Sequence, residues 1–142
     1  MKIDEDKLEN KIILINKNLD KLKELKKLSR KDFLADYRNY DSAKYNLQTS
    51  IEALIDIGNH IISRKNWGVP ETNADTFRIL AEKDVISKNK LSDFVAMSRF
   101  RNMVVHLYQE IDEEEIYRII ENNLEDFTYY IKRIYKLFLE DY

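Results

Sequence analysis

The sequence predicts an all-α protein, an antiparallel bundle of four or five helices that forms one domain over residues 1–142. Glycine occurs only at Gly58 and Gly68, and proline only at Pro70, so few residues favour turns. Strong helix formers dominate, and no segment alternates apolar and polar residues long enough to predict a strand. A chain of this length can bury one substantial core.

Two long helices are predicted in the first half of the chain, over about residues 4–28 and 32–64. In the first, apolar side chains three and four positions apart form one stripe from Leu8 to Leu28. The second keeps the same period, with Ser29 as the residue that caps its start. Gly58 lies in its interior at a cost of about 1 kcal/mol relative to alanine, which predicts a close contact between helices there.

The second half of the chain is predicted to contain shorter elements around one loop. In chain order these are a loop at 66–70, a short helix at 75–82, a turn at 84–86, a helix at about 88–107 capped by Ser87, and a last helix from the acidic run 112–115 to about 139.

The composition excludes several classes of site. The chain has no cysteine, which excludes disulfides, thiolate metal sites and cysteine nucleophiles, and it is consistent with a cytoplasmic protein. No apolar run approaches roughly 18 residues, and the first residues do not resemble a signal peptide, so no membrane association is expected. We also find no convincing metal-binding cluster and expect no cofactor.

Charge is unevenly distributed although the net charge is only −2. The segment 17–31 is basic, and the segment 110–115 is acidic. Such a surface suits a groove for a polyanion or docking to a charged partner. Solvated helix faces with compensating ion pairs explain it equally well.

The segment 101–108 carries the most unusual pattern, because Arg101, Asn102, His106 and Tyr108 occur among aliphatic residues. An arginine on an apolar stripe is costly to bury without a partner. Arginine, histidine and tyrosine together can move protons and stabilise a phosphate, so this pattern indicates a candidate site.

Helical geometry divides the four residues between two stripes. Arg101 and Tyr108 fall within about 20° of each other, whereas Asn102 and His106 lie about 100–140° away. One regular helix therefore cannot aim Arg101 and His106 at one point. Either the helix ends before His106 or a second chain completes the site across a two-fold axis. Asn102 would then orient His106.

Each residue also has a structural interpretation. Arg101 would pair with a carboxylate, His106 would form a structural hydrogen bond, and Tyr108 is one of nine tyrosines. Asn59 and His60, near the end of the second helix, are further candidates for lining a groove. Capping of helix carbonyls is the alternative role for His60.

Together these residues resemble the R-x4-H-x-Y motif of HepT-type toxins in the HEPN superfamily. Arg101 to Tyr108 matches every motif position. The similarity extends to Phe33 before a long helix, to the segment 51–62 with Asn59 and His60, and to the loop 68–70.

The resemblance implies a HEPN-like helical homodimer that is a metal-independent RNA endonuclease cutting tRNA or mRNA. It also implies a partner, a minimal nucleotidyltransferase antitoxin (MntA-like) that transfers AMP onto the motif tyrosine, Tyr108. In this interpretation Arg101 stabilises the scissile phosphate and His106 transfers protons. The main alternative is an inert helical binding module that docks a nucleotidyltransferase, and a purely structural bundle is a second one.

Overall fold

The computed structural model describes residues 2–106 and 110–139, and this part of the chain contains helices and no strand. The α-helices are α1 (Glu5–Lys26), α2 (Arg30–Ala35), α3 (Tyr37–Lys65), α4 (Asn73–Glu82), α5 (Leu91–Val105) and α6 (Glu113–Ile134). The all-α prediction is confirmed. The predicted number of four or five helices is wrong, because the described ranges hold six α-helices.

The additional helix arises because the predicted helix over 32–64 is broken at Asp36. This residue has an extended backbone with φ −130°, and its carboxylate accepts the N–H of Arg38 at 2.9 Å. An aspartate in this conformation satisfies a backbone donor at the start of α3 that would otherwise lack a partner. The apolar period continues across the break, so the sequence pattern did not reveal it. Ser29 caps α2 as predicted, by accepting the N–H of Asp32.

α3 is the central helix and packs against α1, α4, α5 and α6. The α1–α3 pair is antiparallel, as three contacts demonstrate: they join Asp4 to His60, Lys11 to Asp56, and Asn18 to Ser50. The inward face of α3 is fully buried at Leu47, Ile51, Leu54, Ile57 and Ile61. Burial of such side chains contributes about 1.5–3 kcal/mol each, so α3 stabilises the whole bundle.

The predicted helix over 88–107 is shorter than expected at both ends. A 3-10 turn at Lys88–Lys90 precedes α5, and α5 ends at Val105. Its start is tied to α6 by Lys90, whose Nζ lies 3.0 Å from the buried carboxylate of Asp126. The last predicted helix also divides, into α6 and a π-helical turn at Tyr135–Leu139. None of the helices in the described ranges is long and apolar enough to span a bilayer.

Gly58 lies where α3, α4 and α6 meet, which confirms the close contact that its position predicted. A Cβ atom placed there would approach Thr76 Cγ2 to 2.7 Å and the hydroxyl of Tyr130 to 3.0 Å. Tyr130 is fully buried and donates its hydroxyl to the carbonyl oxygen of Leu54 at 2.8 Å. The missing side chain of Gly58 therefore allows α4 to approach the backbone of α3.

We predict that Gly58→Ala destabilises the protein. Overpacking against Thr76 and Tyr130 costs about 2 kcal/mol, and the better helix propensity of alanine offsets about 1 kcal/mol of it. The expected result is a free energy of unfolding lower by about 1 kcal/mol, measured by urea denaturation. Lys21→Ala, at an exposed position of α1, is the control. A Gly58→Ala variant as stable as the wild type would contradict the packing described here.

Candidate functional site

Arg101 lies near the end of α5 and forms an ion pair with Glu52 of α3. Its Nη2 donates to Glu52 Oε2 at 3.1 Å, and the two side chains are 27% and 33% exposed. The pairing of Arg101 with a carboxylate, which we expected as its structural role, is therefore observed. Partial burial strengthens this attraction relative to a pair in open water.

The ion pair uses only part of the guanidinium. Nη1 makes a long contact of 3.5 Å with Asn102 Oδ1, and the buried Nε has no hydrogen-bond partner. A buried donor without a partner is unfavourable, and such groups are rare in native proteins. Glu52 therefore holds the guanidinium in place through Nη2, while Nη1 and Nε are not engaged in short hydrogen bonds.

Arg101 opens onto a cavity of about 130 Å³ between α3, α4 and α5. The lining residues are Glu52, Ile55, Asp56, Asn59, Asn73 and Arg101. Asp56 is itself paired with Lys11 at 3.0 Å, and Glu52 with Arg101. Each carboxylate of the cavity therefore has a cationic partner, which reduces the repulsion that an incoming anion would meet.

Asn102 supports Arg101 in this structure. Its Oδ1 accepts a hydrogen bond from Asn73 Nδ2 at 3.1 Å and makes the long contact with Arg101 Nη1. From the sequence we expected Asn102 to orient His106, whereas its observed contacts orient the guanidinium of Arg101. Asn73 is the first residue of α4, so this bond also ties α4 to α5.

His106 directly follows the last residue of α5. Its backbone is extended, with φ −88° and ψ 108°, and its N–H donates to the carbonyl oxygen of Met103. The side chain is exposed. The sequence left two alternatives, a helix that ends before His106 or a site completed by a second chain. The structure shows a helix that ends before His106. Tyr108, the candidate for modification, lies outside the described residues.

The structure separates the neighbouring candidates Asn59 and His60. Asn59 is exposed and lines the cavity beside Arg101. Its Oδ1 accepts the hydroxyl of the buried Thr76 at 2.6 Å.

His60 is 8% exposed and faces α1 instead. Its Nε2 accepts the backbone N–H of Asp4, the N-cap of α1, at 2.9 Å. Among the described residues His60 is not part of the cavity wall, so it is a structural residue and the expected groove-lining role is wrong. The alternative role, capping of helix carbonyls, is not what Nε2 does, because this atom accepts a hydrogen bond from a backbone donor.

Glu52, Asn73 and Thr76 were not among the site residues predicted from the sequence. Glu52 lies seven residues before Asn59, two helical turns along the same face of α3, and this spacing was a usable signal. Asn73 and Thr76 belong to α4, whose position on α3 depends on Gly58 and is not encoded in any local pattern. Within 2–106 and 110–139, no three acidic or histidine side chains are grouped to hold a metal ion.

Comparisons with known proteins agree on one family. The family model described as Ribonuclease HepT-like matches residues 15–134. The chain is 35% identical over 99 residues to the mRNA nuclease HepT of Shewanella oneidensis, which covers 70% of this chain and 74% of that protein. It is 29% identical over 136 residues to the tRNA nuclease HepT of Aphanizomenon flos-aquae, covering 94% of this chain and 92% of that protein.

Solved structures show the same relationship. A chain in the structure of the tri-AMPylated Shewanella oneidensis HEPN toxin in complex with MNT antitoxin superposes with a TM-score of 0.85 at 31% identity. The match covers 92% of this chain and 98% of that chain. YutE from Bacillus subtilis, a cytosolic protein of unknown function, shares the fold with a TM-score of 0.81 at 21% identity.

We predict that His60 makes the stability of the fold depend on pH. Burial, reinforced by Lys7 and Arg64 and opposed by Asp4, lowers the pKa of His60 from its usual 6.5. The unfolded chain binds a proton at this residue more readily than the folded chain does. The stabilisation is therefore present above the unfolded pKa of 6.5 and is lost as pH falls through the lower folded pKa.

Urea denaturation at pH values above and below 6.5 tests this prediction. The free energy of unfolding of the wild type should fall more on acidification than that of His60→Gln, which cannot titrate but retains an acceptor for the N–H of Asp4. Equal pH slopes in the two proteins would show that His60 does not couple folding to protonation.

Proposed function

The chain belongs to the HepT-like ribonuclease family, and from this membership we propose that it is a metal-independent RNA endonuclease, the toxin of a cytoplasmic toxin–antitoxin pair. The observation that carries the proposal is the Arg101 guanidinium, which Glu52 and Asn102 hold at a cavity while Nε has no hydrogen-bond partner. The relatives are named as an mRNA nuclease and a tRNA nuclease, so an RNA of either class is the proposed substrate.

Arg101 is the proposed phosphate-binding residue. A guanidinium fork matches two phosphate oxygens, and it stabilises the negative charge that develops on them in the transition state. Glu52 holds Nη2, so the fork meets the substrate in a fixed orientation. Preorganisation of this kind avoids reorganisation of the donors during the reaction.

His106 is the proposed proton-transfer residue. His106 is exposed, follows the end of α5 and lies five residues after Arg101 in the sequence, so its side chain is accessible to a substrate. In the proposed reaction the 2′-oxygen attacks the adjacent phosphorus, and the bond from phosphorus to the 5′-oxygen breaks. A base removes the 2′-hydroxyl proton and an acid protonates the leaving 5′-oxygen, and His106 suits either role. Because the nucleophile belongs to the RNA, the reaction needs no metal ion.

A homodimer would bring two copies of His106 towards one groove and supply both acid and base. The half-buried apolar side chains at the end of α5, Met103 and Val104, together with the exposed Val105, offer an apolar surface next to His106. Sedimentation analysis at micromolar concentration tests this point, and a monomer under those conditions would contradict it.

The partner proposed for this toxin is a minimal nucleotidyltransferase of the MNT (MntA-like) type, which would inactivate it by transferring AMP to Tyr108. A structural neighbour is described as a tri-AMPylated toxin in complex with MNT antitoxin. Because α5 ends at Val105, helical alignment with Arg101 gives no support for the choice of Tyr108. The support that remains is sequence proximity: Tyr108 follows His106 by two residues, so AMP there would add an anionic group two residues from the proposed proton-transfer residue.

The second candidate function is a catalytically inert module that docks a nucleotidyltransferase. The observation that favours it is the Arg101–Glu52 ion pair, which gives Arg101 a structural partner without any substrate. The two functions differ in one respect that can be measured, which is whether the chain cleaves RNA.

We predict that His106→Ala abolishes growth arrest and lowers the RNA cleavage rate by about 10²–10⁴-fold, the usual contribution of general acid–base catalysis. Arg101→Lys keeps the charge but loses the fork, and we expect a large loss of cleavage from it as well. Arg99→Ala, an exposed position on the same helix, is the control and should retain activity. Full cleavage by His106→Ala would exclude the proposed mechanism, and no cleavage by the wild type would favour the binding module.

We also predict that a cognate nucleotidyltransferase with ATP adds AMP to Tyr108 and silences the nuclease. Mass spectrometry of digested protein should locate the adduct on Tyr108, and Tyr108→Phe should remain active after the same treatment. The exposed Tyr37 and Tyr45 serve as internal controls for nonspecific modification. Adducts on these two tyrosines with none on Tyr108 would refute the assignment.

A further inference from the structure

A second cavity, of about 430 Å³, adjoins the one at Arg101. It lies between the end of α3 and the loop 66–70, and its walls include Asn59, Ile62, Ser63, Asn66, Val69 and Pro70. Asn59 also lines the Arg101 cavity, so one side chain forms part of both walls. The two cavities are therefore neighbours at Asn59, and we refer to this stretch of surface as the groove.

The amide of Asn59 is oriented by its contact with α4. The hydroxyl of Thr76, which is 1% exposed, donates to Asn59 Oδ1 at 2.6 Å. The methyl group of Thr76 packs against Gly58, so the helix crossing fixes the position of this hydroxyl. Because the amide oxygen is engaged, the amide nitrogen of Asn59 remains as a donor of two N–H groups at the groove.

The loop on the other side of the cavity is anchored at both ends. Asn66 ends α3 in the left-handed conformation with φ 56°, and the N–H of Trp67 donates to the carbonyl oxygen of Ile62 at 3.0 Å. At its far end, Thr72 and Asp75 form a capping box at the start of α4. Such anchoring stabilises a loop in one conformation.

The same loop holds an apolar side chain towards solvent. Val69 lies between these two anchors and is 87% exposed. It belongs to the wall of the cavity, where the half-buried Pro70 adds further apolar surface. An exposed valine on an anchored loop can pack against the flat apolar face of a ligand that binds in the groove.

The two cavities differ in charge. The residues lining the second cavity are uncharged, and its amide and hydroxyl groups come from Asn59, Ser63 and Asn66. The first cavity contains Arg101. A nucleotide has the same division, because its phosphate is anionic while its base is neutral, flat and rimmed by hydrogen-bonding groups. Single-stranded RNA is recognised in this way, by packing against the face of a base and by hydrogen bonds to its edge.

We propose that the cavity at Val69 and Asn59 is a nucleobase subsite, which binds the base of a nucleotide adjoining the phosphate held by Arg101. Asn59 donates to an acceptor on the base edge, and Val69 and Pro70 pack against its face. The subsite gives the nuclease a sequence preference at one position beside the cut. This inference rests on the proposed ribonuclease function and extends it to substrate choice.

The first experiment maps cut sites in a pool of random-sequence RNA by sequencing the products. The wild type should prefer certain bases at one position beside the cut, and Val69→Ser should reduce that preference by about tenfold, as loss of an apolar contact does in other pockets. Ile13→Ser is the matched control, since Ile13 is also an exposed aliphatic residue, 64% exposed, on α1. Its cut-site preference should equal that of the wild type.

The second experiment does not depend on cleavage. The side-chain amide NMR signals of Asn59 and Asn66 are followed during titration with AMP, GMP, CMP and UMP. At least one nucleotide should shift both signals in the wild type. The same shifts should require a higher nucleotide concentration in Val69→Ser.

The possible results separate the two proposals. Cleavage with the same base preference in the wild type and Val69→Ser overturns the subsite and leaves the ribonuclease intact. Shifted amide signals without any RNA cleavage support a nucleotide site and contradict the proposed function. Absence of both cleavage and shifts overturns both. If Val69→Ser instead converts a dimer into a monomer in sedimentation, this face is an interface between copies and the subsite is overturned.

Discussion

The close packing of α4 on α3 at Gly58 is the constraint on which the candidate site depends. Because Gly58 has no side chain, Thr76 can approach the α3 backbone and place its hydroxyl against Asn59. The same helix α4 begins at Asn73, whose amide reaches Asn102 on α5. One helix crossing thus positions an amide on α3 and one on α5, and the guanidinium of Arg101 lies between these two helices.

The energetics of Arg101 explain how one residue can serve both structure and chemistry. Leaving a partly buried charge without a partner costs several kcal/mol, and Glu52 offsets this cost. Because both side chains keep about a third of their exposure, solvent screening limits the net contribution of the pair to about 1 kcal/mol. An interaction of that size is enough to orient the guanidinium. The pair engages Nη2 and leaves Nη1, which makes only the long contact with Asn102, for a phosphate.

Local patterns predicted the helices well, and tertiary contacts explain what the sequence did not reveal. The period of apolar residues located α1, α3 and α6, and Gly58 indicated a close helix contact. The break at Asp36 escaped notice because the apolar period continues through it. Arg101 could be singled out from its cost of burial, and the geometry of the motif gave a helix end before His106 as one of two alternatives, although the predicted helix ran to about residue 107. Its partner Glu52 was signalled only by the spacing from Asn59 along α3. Asn73, which bonds Asn102, could not be foreseen, because the position of α4 depends on how the helices pack.

The central claim is that Arg101 binds the phosphate at which RNA is cut. The most direct measurement is a crystal structure of the chain with a short RNA that carries a 2′-deoxy nucleotide at the cut site and therefore cannot react. We expect phosphate oxygens within hydrogen-bond distance of the Arg101 guanidinium, with His106 close to the 2′-carbon or the 5′-oxygen. An RNA bound elsewhere on the surface, with Arg101 contacting only Glu52 and Asn102 as it does here, would contradict the account.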